Sequence, residues 1–182
     1  MATISFNEDF FMQSAVDKEA WQKLSREFNW SETLLGKYED KIDWKELSKN
    51  RNMLWTVPIL HKYEKRFDWN ELTDNLDGEF LTESTIEAFK EKWNWRSLSM
   101  GYCLTDEILQ KYADKLDWRE ITSQYNYNII KKPGIDFYNR YKDYLPDKEY
   151  LWGSELWNEI VNQRKAQLIS EIQHRKTEDT DI

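Results

Sequence analysis

Few side chains in this sequence could hold a metal ion or act as a nucleophile. The histidines are His61 and His174, and the single cysteine is Cys103. Zinc sites use three or four clustered Cys, His or acidic ligands. Three residues this far apart do not suggest such a cluster, so we predict no metal site. Cys103 precedes a predicted helix start, and we expect it to be a small buried side chain rather than a reactive thiol.

Sequence motifs for enzymatic chemistry are also missing. The sequence has no G-x-S-x-G, P-loop or G-x-G-x-x-G pattern. Its carboxylates are numerous, and a glycosidase pair stays open as an alternative, because such a pair is defined by its separation in space. We predict that the protein is not an enzyme and uses no cofactor.

The segment TDNLDGEFLTES is similar in outline to a calcium-binding loop. If Gly78 stands at position 6 of an EF-hand loop, Thr73 and Ser84 stand at positions 1 and 12. An EF-hand places Asp and Glu at those two positions as ligands. We therefore expect no calcium site.

Charge is the more informative feature of the same region. No Lys or Arg lies between Arg66 and Lys90, whereas seven acids do. They are Asp68, Glu71, Asp74, Asp77, Glu79, Glu83 and Glu87. One interpretation is a solvated loop and helix start, since acids near a helix N-terminus are favourable. The other is an acidic patch that attracts a basic partner.

A second candidate binding segment is SQYNYNIIKKPG, which starts at Ser123. Tyr and Asn alternate in it, and both are typical of adaptable recognition loops. The candidate contacts are Tyr125, Asn126, Tyr127 and Asn128. Alternatively, the segment is a longer connection whose Tyr rings pack against the rest of the protein.

The elements that must position these segments are encoded by a repeat. Four copies align without gaps, each counted from a Ser or Thr at position zero: Ser31, Thr56, Thr82 and Thr105. Apolar residues recur at +4, +7 and +11, a basic residue at +10, and Asp or Asn at +12. Position +13 is always Trp, as Trp44, Trp69, Trp95 and Trp118. Leu or Ile follows at +16, and Ser or Thr at +17.

Two less regular copies flank these four. An earlier one fits with Asp17 at zero, Trp21 at +4 and Trp30 at +13, and it is truncated where the next copy begins. A later one starts at Gly134 and has Asp147 at the Trp position. Self-similarity of this kind is typical of stacked repeat architectures.

The spacing within a copy predicts two helices. Positions +4, +7 and +11 share one helix face, the Ser or Thr at zero is a favourable N-cap, and the basic +10 residue suits the last turn. This predicts a first helix of about ten residues. The Asp at +12 has Glu three residues later in three copies, which is capping-box spacing for a second, short helix. The Ser or Thr and the Asn or Gly that follow are expected to end it.

Neither helix can bury its apolar side alone, so neighbouring copies must stack. We predict an all-α protein of short helical-hairpin repeats, stacked as an α-solenoid or compact helical array with a long C-terminal capping helix. The single domain would comprise an N-terminal cap with a truncated repeat (1–30), four repeats (31–125), a degenerate repeat with the capping helix (126–176) and a disordered acidic tail (177–182). The apolar stripe expected to close the array is Trp157, Ile160, Val161, Leu168 and Ile172.

On these residues the chain resembles the tandem DW-x-x-L-S/T helical repeat proteins of Bacteroidetes, phages and large DNA viruses. The similarity covers residues 17–125. It implies a helical repeat fold, and it brings neither catalytic residues nor an established function. The chain departs from the pattern at Asn94, which replaces Asp, at Ser97, which replaces the capping Glu, and after residue 125.

Composition limits the remaining classes of function. The 182 residues carry a formal net charge of −8, and no basic stripe of the kind that binds nucleic acid is visible. No apolar run approaches the roughly 20 residues that span a bilayer, and the segment MATISFNEDFF lacks a signal-peptide pattern. We expect a cytoplasmic protein that contacts neither membrane nor nucleic acid directly.

Protein binding is the function that these features favour. Aromatic residues make up 15% of the chain, and they serve both core packing and interface hot spots. We expect a non-enzymatic repeat protein that inhibits a basic, nucleic-acid-handling protein, as anti-CRISPR, other anti-defence or toxin-immunity proteins do. The alternative is a structural or assembly scaffold built by self-association.

Overall fold

A computed structural model describes residues 10–101, 104–123 and 134–178 of the chain, with side chains to residue 173 in the last helix. This part of the chain contains α-helices and no strand. The helices are α1 (Phe10–Glu27), α2 (Glu32–Lys37), α3 (Trp44–Leu47), α4 (Val57–Lys62), α5 (Trp69–Asn75), α6 (Glu83–Ala88), α7 (Trp95–Met100), α8 (Asp106–Lys111), α9 (Trp118–Ile121), α10 (Ile135–Tyr141), α11 (Lys148–Leu151) and α12 (Glu155–Glu178). The predicted all-α fold, with repeated short helices and a long last helix, is confirmed.

The helices belong to two compact units, Met1–Asn94 and Trp95–Ile182. The division falls inside the third regular copy, next to its Trp at +13. Each unit has its own core, whose most deeply buried side chains are less than 2% exposed. These side chains are Leu35, Leu47, Leu60, Leu72 and Ile86 in the first unit, and Leu98, Ile108, Leu109, Ile121 and Leu156 in the second.

The first helix of each regular copy begins where the sequence predicts. The Ser or Thr at position zero accepts a hydrogen bond from the amide three residues later in α2, α4, α6 and α8. These helices are 6 residues long, so the predicted length of about ten is wrong. The reason is visible in the first copy, where Tyr38 leaves helical geometry at φ −114°. The amide of Ile42 then bonds to the Tyr38 carbonyl at 3.1 Å, and this turn carries Ile42 into the core.

The second helices are capped by aspartate, as predicted. Asp43, Asp68 and Asp117 each accept a hydrogen bond from the amide of the Glu three residues later. In a full capping box, the Glu side chain also accepts a hydrogen bond from the amide of the capping residue. Here the amide of Asp68 donates instead to Ser48 Oγ of the preceding copy at 3.0 Å. Glu46 instead accepts from Lys49 Nζ at 2.7 Å, and this hydrogen bond raises the pKa of the Lys49 ammonium.

The hydroxyl at +17 joins successive copies. Ser48 Oγ donates to the Trp44 carbonyl at 2.7 Å and accepts from the Asp68 amide. Thr73 and Ser99 make the same pair of bonds in the next two copies. A residue predicted only to end a helix therefore also links two copies.

The Trp at +13 packs against the aromatic +7 residue of the following copy. Ring centroids are 4.7 Å apart for Trp44–Tyr63, 5.2 Å for Trp69–Phe89, 4.9 Å for Trp95–Tyr112 and 4.8 Å for Trp118–Tyr141. The rings are tilted in every pair, an arrangement that aromatic quadrupoles favour over face-to-face stacking. The Trp44 indole also donates to the Glu39 carbonyl, five residues earlier, at 3.2 Å. The repeated Trp thus holds both its own turn and the next copy.

The N-terminal copy has a different register from the predicted one. Trp21, predicted at +4, takes the place of the +13 Trp, because its ring lies 5.7 Å from that of Tyr38. Its carbonyl accepts from Ser25 Oγ at 2.7 Å, and Ser25 Oγ accepts from the Asp43 amide at 3.0 Å. Asp17 lies within α1 rather than at a helix start. The match between WQKLS (21–25) and WKELS (44–48) was the available signal.

The copy after residue 134 also forms a helix pair, α10 and α11. Asp147, predicted at the Trp position, instead precedes α11 as its N-cap residue. Tyr141 closes α10 and is 2% exposed, and this burial raises the pKa of its hydroxyl. The predicted capping helix is α12, whose first turn is capped by Ser154, which accepts from the Trp157 amide at 3.1 Å.

Replacing Tyr63 by phenylalanine should leave the free energy of unfolding unchanged or raise it by up to about 1 kcal/mol. Tyr63 is 3% exposed, and no described residue satisfies its hydroxyl, although Lys62 Nζ lies 5.2 Å from the ring centroid. The third copy already has Phe89 at this position. Urea denaturation followed by circular dichroism measures the change. A loss as large as that expected for Tyr63→Ala, about 3 kcal/mol, would mean that the hydroxyl is bonded.

Candidate functional site

An open groove of about 610 Å³ lies on the first unit. One wall comes from residues 51–55, which lead from α3 to α4, and the other from residues 74–80, which end α5 and lead towards α6. The two walls are the loops that close two consecutive copies. They face each other because the copies are stacked.

The first wall is fixed by Asn50, which is 0% exposed. Its Nδ2 donates to the carbonyls of Ser25 and Phe28, both at 2.8 Å. Its Oδ1 accepts from the amides of Asn52 and Met53 at 2.7 and 3.0 Å. All the hydrogen-bonding capacity of the amide is used, so this wall is held in one conformation.

The second wall is a turn organised by Asp77. Its side chain accepts from the Glu79 amide at 3.0 Å, and its carbonyl accepts from the amides of Phe80 and Leu81 at 3.0 and 3.2 Å. An Asp side chain that bonds its own backbone two residues on is a common turn device. The turn leaves the carboxylates of Asp77 and Glu79 exposed.

The groove has both apolar and acidic lining residues. Leu54 is 78% exposed within it, and Phe80 is half-buried. Exposed carboxylates line the second wall at Asp74, Asp77 and Glu79, which we call the rim acids. Arg51 is the one basic residue among the described lining residues, and its Nε donates to Asn75 Oδ1 at 2.9 Å.

The seven acids between Arg66 and Lys90 have different roles in the structure. Asp74, Asp77 and Glu79 line the groove, whereas Asp68 caps α5. The remaining three lie near a lysine or at a helix start. Glu71 Oε1 lies 3.8 Å from Lys49 Nζ, Glu87 Oε1 lies 2.8 Å from Lys90 Nζ, and Glu83 is in the first turn of α6. Three of the seven acids therefore form one surface with apolar neighbours.

The sequence did not predict the groove residues Arg51, Leu54 and Phe80. Leu54 and Phe80 are apolar residues placed in loops, each shortly before the N-cap of the next copy. That position alone was not a reliable signal, because Trp55 and Leu81, which follow them directly and also lie outside the helix pattern, are 9% and 6% exposed.

Other candidate sites have less support. Tyr125, Asn126, Tyr127 and Asn128 lie outside the described residues, as does Cys103, so their roles stay predictions. Within the described ranges, no group of three or more His, Cys, Asp or Glu residues is placed to hold a metal ion. None of the helices in those ranges is long and apolar enough to cross a membrane.

A second groove, of about 570 Å³, lies on the second unit and is lined by cations. Arg96 donates to Glu120 at 2.7 Å, and Lys115 Nζ lies 5.8 Å from the Trp95 ring centroid. The guanidinium of Arg119 lies over a tyrosine ring at 5.5 Å. Because these cations already have acidic or aromatic partners, this groove is a weaker candidate than the acidic one.

The fold and the groove define the class of this molecule: a helical repeat protein with a groove lined by acidic and apolar residues. Comparison with protein-family models, with curated proteins and with solved structures gives no match. The resemblance to DW-x-x-L-S/T repeat proteins thus stays a prediction from the motif. Function has to be argued from the groove itself.

Proposed function

We propose that this protein is a non-enzymatic binding protein whose acidic groove takes a basic surface of another protein. The observation that carries the proposal is Leu54, which is exposed on the groove wall opposite three carboxylates. Specific interfaces place apolar anchors at the centre and polar groups at the rim. The groove offers both kinds of residue, and its first wall is held in place by the buried Asn50.

The rim acids set the charge of the partner. Asp74, Asp77 and Glu79 are exposed, so their individual ion pairs with a partner would add little affinity. Their sum attracts Lys and Arg side chains, raises the association rate and disfavours acidic partners. Affinity would come mainly from burying Leu54 and Phe80 against an apolar anchor of the partner.

The class of partner follows from the same charge. Proteins that handle nucleic acids bind phosphates through Lys and Arg clusters. A chain of net charge −8 with an acidic groove can occupy such a cluster and exclude the nucleic acid. We therefore infer an inhibitor of the anti-CRISPR, other anti-defence or toxin-immunity type. Its acidity supports protein binding and disfavours direct contact with nucleic acid.

Reversing the rim charges should weaken partner binding by at least about tenfold at low salt. The test variant is Asp74→Lys/Asp77→Lys/Glu79→Lys. Partners captured from host lysate are identified by mass spectrometry, purified and titrated against wild type and variant by calorimetry. Leu54→Ser should weaken binding by about tenfold at both low and high salt, because its contribution is apolar.

The matched control is Asp17→Lys/Glu27→Lys/Asp40→Lys, which makes the same change of net charge at exposed positions of the same unit. It should keep nearly all the affinity. If the rim variant retains every partner at wild-type affinity in low salt, or if both triple variants lose affinity equally, the groove is not the binding site.

A further inference from the structure

The segment 164–173 of α12 lies open to solvent in the described chain. Every residue from Arg164 to Gln173 is exposed, whereas Leu156 near the start of the helix is 1% exposed. The apolar stripe that the sequence predicts to close the array is thus divided: Trp157 and Ile160 are half-buried, whereas Val161, Leu168 and Ile172 are exposed. A free helical segment of this length is marginal in water without tertiary contacts.

The open segment presents an apolar face. Val161, Leu168 and Ile172 are 47%, 41% and 56% exposed, and their spacing of seven and four residues places them on one side of the helix. Ile169 extends this side and is 47% exposed. Lys165 lies on the same side, four residues after Val161 and three before Leu168, so the face is apolar around one cation. An exposed apolar helix face of this kind marks an interaction site.

The charges beside this face indicate its occupant. Arg164 and Glu171 lie on the same flank of the stripe, seven residues apart, and Arg164 Nη1 donates to Glu171 Oε1 at 3.1 Å. In an antiparallel helix pair, matching flanks of the two helices face each other. If the two-fold axis of the dimer passes near Leu168, Glu171 of the second copy lies beside Arg164 of the first. Glu171 of the first copy then lies beside Arg164 of the second. Such a self-complementary arrangement is what a two-fold interface requires.

We propose that the segment 164–173 of α12 pairs antiparallel with the same segment of a second copy of this chain. The pair buries Leu168 and Ile172 of both copies and exchanges two Arg164–Glu171 ion pairs between them. A parallel pair would not bring these opposite charges together. The result is a closed dimer rather than an open-ended assembly, and it is independent of the proposed groove function.

Sedimentation equilibrium over the micromolar range tests the pairing. Wild type should show the mass of a dimer, and Leu168→Asp/Ile172→Asp should raise the dimer dissociation constant by about a hundredfold or more. The control Ala166→Asp/Ser170→Asp adds the same charges on the opposite side of the helix and should remain dimeric. A monomeric wild type at high micromolar concentration, or a dimer that survives the apolar-face variant, overturns the proposal.

A charge-swap experiment tests the antiparallel geometry. The Arg164→Glu copy is acidic at both positions, and the Glu171→Arg copy is basic at both. Each alone should dimerise about tenfold more weakly than wild type at low salt, whereas an equimolar mixture should form a one-to-one heterodimer. Circular dichroism verifies that both variants keep their helix content. A mixture that associates no more tightly than either variant alone overturns the antiparallel arrangement.

Discussion

Replacing Asn50 by alanine is expected to lower the free energy of unfolding by about 3 kcal/mol. The substitution removes four hydrogen bonds at a site that is 0% exposed. It leaves the carbonyls of Ser25 and Phe28, and two loop amides, without the bonds that the side chain provided. Buried polar groups that lose their partners are costly, because water cannot replace them.

Asn52→Ala is the matched control for this substitution. Asn52 is exposed and donates one hydrogen bond, to the Glu27 carbonyl at 2.7 Å, so its loss should change stability by less than about 1 kcal/mol. Urea denaturation of both variants, followed by circular dichroism, gives the comparison. Equal effects at the two positions would contradict the role assigned to Asn50. Asn50→Ala should also weaken partner binding, since Asn50 fixes the wall that carries Leu54.

Local physics explains which parts of the fold the sequence predicts. The N-caps at Ser31 and Asp43 act on amides three residues away, so their spacing alone identifies them. The helix ends are less visible in sequence. The turn at Tyr38 shortens α2 because Ile42 must reach the core, and that demand comes from the neighbouring copies rather than from the helix sequence.

Contacts between copies determine the features of the structure that could not be predicted from the sequence. Asn50 bonds to carbonyls more than twenty residues earlier, and nothing in its local pattern identifies those partners. Ser48 looks like a helix stop locally, whereas its second bond joins the next copy. The acidic run could be read from the sequence, but its grouping with Leu54 could not. That grouping depends on two loops, one from each of two stacked copies.

The division between shared and unshared residues supports the functional proposal. Positions that recur in the copies, such as Trp44 and Ser48, are engaged in contacts between copies and are partly or fully covered by them. The groove uses residues of the loops between the helices: Leu54, Asp77 and Phe80. A partner-specific surface built on the variable loops leaves the stacking contacts intact. Substitutions in the groove should therefore alter binding with little effect on stability.

Replacing Trp44 by alanine should lower the free energy of unfolding by about 4 kcal/mol. Trp44 is 8% exposed, and its ring contacts Tyr63 at 4.7 Å and Phe67 at 5.6 Å. The guanidinium of Arg66 lies 5.2 Å from the ring centroid, and the indole donates to the Glu39 carbonyl. Alanine removes all of these contacts and leaves a cavity between two copies. Trp44→Phe keeps a ring but loses the hydrogen bond, and about half the effect is expected.

Trp152→Ala provides the comparison with an exposed tryptophan. Trp152 is 74% exposed and stacks on Trp157 with centroids 5.4 Å apart, so its removal should cost less than about 1 kcal/mol. Both variants are measured by urea denaturation against wild type. If Trp44→Ala were no more destabilising than Trp152→Ala, the repeated Trp would not be a scaffold residue. Its recurrence would then have to reflect a repeated binding role, and the search for the partner surface would move from the groove to the Trp positions.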